Sequence, residues 1–122
     1  MSPEEIDIAI AEFCGYEWRV GIFGNCRALF HPTDNYLKDF PCRPEDMELP
    51  IATDCWSRLP HFNLRLDAIH DAEMRLENYA TKTDYAHILG EVVDKANRFY
   101  SITAKAAQRA EALLKTIGKW KD

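Results

Sequence analysis

Apolar residues fall at helical spacing in four stretches of this chain and alternate with polar ones in another. The first stretch opens with Ser2-Pro3-Glu4-Glu5, which supplies an N-cap hydroxyl, a proline at the first helical position and a glutamate at N3. Ile6, Ala9, Ile10, Phe13 and Cys14 follow as one apolar stripe, Met1 stands ready to staple Ile6 across the cap, and Gly15 marks the stop. Tyr16, Trp18, Val20 and Ile22 then alternate with Glu17, Arg19 and Gly21, the signature of a half-buried strand. Gly24-Asn25 breaks this strand from a second one ending at Phe30. A two-residue loop would pair Val20 with Leu29. A three-residue loop pairs Trp18 with Phe30 and Val20 with Ala28, keeps one face uniformly apolar, and is the register expected, with Gly24 or Asn25 at positive φ.

Residues 31–60 break the periodicity. Five of the six prolines lie here (Pro32, Pro41, Pro44, Pro50 and Pro60), a density that excludes continuous helix and central strand. Periodic pattern returns at Asn63, where Leu66, Ile69, Ala72 and Leu76 share a helical face. After a break at 77–81, Thr81 or Thr83 is expected to cap a helix with Tyr85, Ile88, Leu89, Val92, Val93 and Ala96 on its inner face, stopping at Asn97. Phe99, Tyr100 and Ile102 read as a strand within 98–102. Thr103 reads as the cap of a last helix over 104–117, with Ala106, Ala110, Leu113, Leu114 and Ile117 inward and Gly118 as its end. The expectation is one α+β domain over 1–122: a three-stranded antiparallel sheet with four helices packed on it, order α-β-β-α-α-β-α, and a long proline-rich loop.

Bulk properties narrow the class. Hydrophobic residues make up 47% and charged residues 29% of the chain, which is globular rather than disordered composition. A formal charge of −5 argues against duplex nucleic acid as a partner. The cationic cluster of Lys115, Lys119 and Lys121, with Arg109 upstream, instead complements the negative end of the last helix. No apolar run is long enough to span a membrane, and the N-terminus enters a capped helix at once, so a cytoplasmic protein is expected. Cys14, Cys26, Cys42 and Cys55 are then reduced thiols.

Two segments, Leu66-Asp67-Ala68-Ile69-His70-Asp71-Ala72-Glu73 and Thr103 to Leu114 with Gly118, together with the opening Glu4–Gly15 helix, resemble a family of small phage and prophage proteins, the phage α/β/α ("ABA") sandwich domain. The resemblance covers about half the chain. It implies phage provenance and helices on both faces of the sheet; the family carries no activity to transfer.

Candidate chemistry is sparse. No G-x-S-x-G elbow, Walker A motif or paired zinc-ligand spacing occurs, so neither a catalytic residue, a metal site nor a cofactor is expected. His70 sits among Asp67, Asp71 and Glu73, a setting that favours the imidazolium and suits acid–base work, but a surface histidine on an acidic helix face accounts for it equally simply. His87 and Glu91 form an i,i+4 surface pair. The loop intersperses Tyr36, Phe40, Met47, Trp56 and Phe62 with acids, as in a contact surface for a basic partner. The expected binding residues are therefore Tyr36, Phe40, Trp56, Arg58, Phe62, Asp67, His70 and Asp71. The expected partner is a host or phage protein, bound stoichiometrically, with interference with a host defence component as the specific version. The alternative is a small nucleotide stacked on Trp18, Trp56 or Tyr36 and held by Arg19, Arg27 or Arg58.

Overall fold

The computed structural model describes residues 1–21, 24–33, 39–93 and 104–122, residues 39 and 40 in their backbone only. Helix α1 spans Pro3–Phe13. The Glu5 N–H donates to Ser2 Oγ at 3.2 Å and the Ser2 N–H to Glu5 Oε1 at 3.4 Å, so the capping box forms as read. Gly15, at φ +88°, ends the helix: its N–H donates to Glu12 O and that of Tyr16 reaches back to Ala11 O, the double return of a Schellman cap. The buried face of α1 is Asp7, Ile10, Ala11 and Cys14, rotated from the expected stripe, while Ile6 and Phe13 are half-buried against the core edge.

Strand β1 (Glu17–Gly21) pairs antiparallel with β2 (Arg27–Phe30). Val20 opposes Arg27 and Trp18 opposes Leu29, so neither register read from the sequence holds. The reason is that Ala28, Leu29 and Phe30 are all buried, so uniform apolarity of one face does not select the register. Gly24 does adopt positive φ, at +64°. The Glu17/Arg19 side of β1 is not simply solvated: the Arg19 side chain is 11% exposed, pairs with Glu17 at 3.3 Å and lies over the Phe30 ring.

The expected sheet and element order are overturned. Beyond the β1–β2 hairpin, the sheet gains only a three-residue edge strand, β3 (Asp39–Pro41), drawn from the proline-rich segment and paired antiparallel with β1. Pro41 is tolerated there because an edge strand need not donate on its outer side. The strand expected at 98–102, the Thr103 expected to cap the last helix and the Asn97 stop lie outside the described residues. The proline-rich segment continues through a 3₁₀ turn at Pro44–Glu48 and a one-turn helix α2 at Cys55–Arg58. The segment also closes the free edge of β2. Arg27 donates its N–H to Pro50 O at 2.9 Å and accepts from Ala52 N–H at 2.7 Å, around a parallel bridge to Ile51. The expected loop is thus structural surface for the sheet.

Three more helices complete the fold, making five α-helices among the described residues rather than four: α3 (Leu66–Glu73), α4 (Tyr79–Val92) and α5 (Ala106–Thr116). Asn78, not Thr81 or Thr83, caps α4, its Oδ1 accepting from both the N–H and the hydroxyl of Thr81 at 2.8 Å. The cap position of α5 is Lys105, whose N–H donates to Gln108 Oε1 at 2.8 Å. Gly118, at φ +76°, closes α5 with the same double return seen after α1. Ala110, Ala112, Leu113 and Leu114 of α5 are all fully buried, and α5 packs against α1, α3 and α4. Its alanines let those neighbours approach closely, so α5 is the axis of a continuous core that also takes in Ile69, Ala72, Leu76, Tyr85 and Leu89. Leu66, expected on the inner face of α3, is instead exposed.

Candidate functional site

Asp7 decides which of the expected contact residues are free. Its carboxylate is fully buried on α1. Oδ1 accepts from the Asn63 N–H at 3.1 Å and from Asn63 Nδ2 at 2.8 Å, and Oδ2 from Trp56 Nε1 at 2.7 Å, with His61 Nδ1 3.7 Å away. Asn63 Nδ2 also reaches Pro3 O at 3.4 Å. One carboxylate therefore clamps residues 56–63 onto the first helix. Trp56 is half-buried with its only N–H used internally, and its ring meets His61 edge-on at 4.8 Å. Phe62 is buried. Arg58 lies over the Phe30 ring at 4.7 Å and pairs with Asp54 at 3.5 Å. These three anchor the segment. Tyr36 lies outside the described residues, and Phe40 enters only through the backbone of β3.

The arginines offered for phosphate are engaged as well. Arg27 covers the Trp18 ring at 4.1 Å and donates its Nε to Leu49 O at 3.0 Å, and Arg19 is held as described above. Stacking a base on Trp18 would require Arg27 to leave it.

The remaining expected residues, Asp67, His70 and Asp71, share α3 but face different surroundings. Asp67 accepts two hydrogen bonds from Arg65, at 3.2 and 3.0 Å, and that guanidinium holds its carboxyl below the usual range. His70 is exposed, with Nδ1 3.7 Å from Glu73 Oε1. Glu73 in turn binds inward: its Oε2 accepts from the Tyr85 hydroxyl and from Arg109 Nη1 at 3.2 Å, and Arg109 Nε donates to Ala104 O. Burial, and then the Glu73 carboxylate, push the Tyr85 phenol far above its ordinary range. This node ties α3, α4 and α5 together. Among the described residues no group of three or more His, Cys, Asp or Glu is placed to hold a metal, and His87–Glu91 is an exposed pair at 3.3 Å.

Two surfaces along α3 are left open. On the outside, Leu64, Leu66, Met74 and Tyr79 are 68%, 56%, 71% and 85% exposed. They flank the exposed His70 along a helix on which positions 66 and 74 are separated by about 12 Å. On the other side a cavity of about 290 Å³ opens between α3, the end of α1 and the turn after β2. Cys14, Phe62 and Ala68 give it an apolar floor, Tyr16 and His31 a wall, and Arg65, Asp67, Asp71 and Arg75 a charged rim. The His31 and Tyr16 rings meet edge-on at 5.3 Å. Burial pushes the Cys14 thiol up, so it stays protonated. Sequence reasoning offered this acidic helix through Asp67, His70 and Asp71 but missed the exposed apolar side chains around it and the cavity. The available signal was that Leu64, Met74 and Tyr79 lie off the buried stripe of α3, where a solvated helix would carry polar residues.

Compared with protein-family models, with curated proteins and with solved structures, the chain matches none. The likeness to the phage ABA family therefore rests on the segments quoted for it alone. No helix among the described residues is long and apolar enough to cross a membrane.

Proposed function

We propose that this protein is a non-enzymatic binding module that acts by stoichiometric association with another protein through the exposed face of α3 and its flanking turns. The supporting observation is the concentration of exposed large apolar side chains there: Leu64, Leu66, Met74 and Tyr79, against only Met47 and Ile51 elsewhere among the described residues. Covering such side chains contributes roughly 1.5–3 kcal/mol each before the costs of association, enough for them to act as anchors. His70 lies between them, and the chain carries a net charge of −5, so the complementary partner surface is an apolar pocket with a basic rim. The contact face thus moves from Trp56 and Phe62, which hold the proline-rich segment down, to the adjacent acidic helix. Phage provenance, implied by the resemblance, makes the partner a host component, a defence protein among them, met in the host cytoplasm. Four free cysteines are compatible with that reducing compartment.

The test is capture from host lysate with the intact chain and with a Leu64→Ser, Leu66→Ser, Met74→Ser variant, followed by reconstitution with the purified partner. A 1:1 complex that the variant weakens at least about tenfold, with its unfolding midpoint unchanged, supports the reading. A complex indifferent to those three side chains, or no complex, overturns it.

A further inference from the structure

The cavity beside α3 carries one unmatched charge of each sign. Arg65 and Asp67 already neutralise each other through two hydrogen bonds. Asp71 and Arg75, one turn further along, form no ion pair, with each other or with any other described residue, yet both line the cavity. Both charges are felt at the Cys14 thiol on its floor, Asp71 raising and Arg75 lowering its pKa. A third polar group is preset. His31 Nδ1 is held by Thr33, 2.6 Å from its hydroxyl and 3.2 Å from its N–H, so Nε2 is the ring nitrogen without a partner among these contacts.

We infer that this cavity binds a small zwitterion of the α-amino acid class, with the carboxylate against Arg75, the ammonium against Asp71 and an apolar side chain over Phe62, Ala68 and the Tyr16 ring. A simple anion would leave Asp71 facing negative charge, and a simple cation would leave Arg75 unmatched, whereas a ligand with both charges on neighbouring atoms satisfies each. A volume of about 290 Å³ is at the small end of ligand sites, suited to a single amino acid and too small to enclose a nucleotide with its phosphates. The buried Cys14 thiol, its pKa pushed up by burial, is a packing surface for the ligand. None of the four apolar side chains of the outer α3 face takes part.

The experiment is two-dimensional amide NMR of the full chain titrated with the twenty amino acids, and with 3-phenylpropionate and phenethylamine as analogues carrying one charge each. The expected result is that at least one apolar or aromatic amino acid saturates the amide shifts of residues 14–16, 31 and 71–75. Both single-charge analogues should bind at least about tenfold more weakly, and Arg75→Gln and Asp71→Asn should each weaken the amino acid at least about tenfold. Both positions are exposed, and the spectrum of each free variant reports directly whether it is folded. Equal binding by the one-charge acid would mark an anion site and overturn the inference. So would binding that survives both substitutions, or no saturable shift up to about 10 mM, where even a weak site would be filled.

Discussion

At the scale of single residues, Asp7 carries more of the architecture than any apolar side chain near it. Removing a buried carboxylate that accepts from Trp56 Nε1, the Asn63 N–H and Asn63 Nδ2 strands three donors at once. Asp7→Ala should therefore cost about 3 kcal/mol in urea unfolding, several times the effect of an exposed carboxylate such as Glu4. The position was legible in principle, because 7, 10, 11 and 14 define one helical face. An aspartate is read as solvated by default, however, and its donors lie 49 to 56 residues away. Tyr85 makes a second prediction. Its folded-state pKa is raised, so the folded protein holds this proton after the unfolded chain begins to lose its own near pH 10. The contribution is complete below about pH 10, and stability should fall as pH rises beyond it. Denaturant titrations over that range should show the slope reduced in Tyr85→Phe, whose remaining slope includes the Cys14 and Cys42 thiols, also pushed up by burial.

At the scale of elements, helix ends carry the testable content. Gly15 and Gly118 hold positive φ with open space where a Cβ would lie, so alanine meets only backbone strain at either site. Gly15→Ala and Gly118→Ala should each destabilise by about 1 kcal/mol, with near-equal shifts in thermal midpoint. Ser2→Ala, which removes the acceptor for the Glu5 N–H, should cost about 1 kcal/mol as well. The ends of α1 and the stop of α5 could be read directly, since both belong to a few consecutive residues. The start of α4 was misplaced because Asn78 and the two threonines are all competent caps, and the side chain that accepts is the one standing just before the first packed turn.

At the scale of the whole molecule, the proline-rich segment is an integral layer. It closes both edges of the hairpin, β3 on β1 and the Ile51 bridge on β2, and the Asp7 clamp holds its far end. Amide exchange should accordingly find Arg27, Cys42 and Ala52, whose N–H groups are bound to Pro50, Trp18 and Arg27 carbonyls, protected well beyond exposed turn amides. Free exchange at all three would dissolve the layer. The same packing explains the division of the candidate residues. Trp56, Arg58 and Phe62 are spent on holding the segment down, so α3, packed inward by Ile69 and Ala72, is where apolar side chains remain uncovered.

The amino-acid sequence by itself determined where α1 begins and ends, where α5 stops, that a hairpin falls within residues 16–30 with Gly24 or Asn25 at positive φ, and that Ala110, Leu113 and Leu114 are core. Caps and stops are closed by hydrogen bonds within five or six residues, and a stripe of this kind is buried whatever covers it. Only the tertiary structure decided the hairpin register, the origin of the third strand, the burial of Asp7 and the pairing of opposite charges around the cavity. Each depends on which distant segment supplies the partner, and side chains compete for those partners through space rather than along the chain.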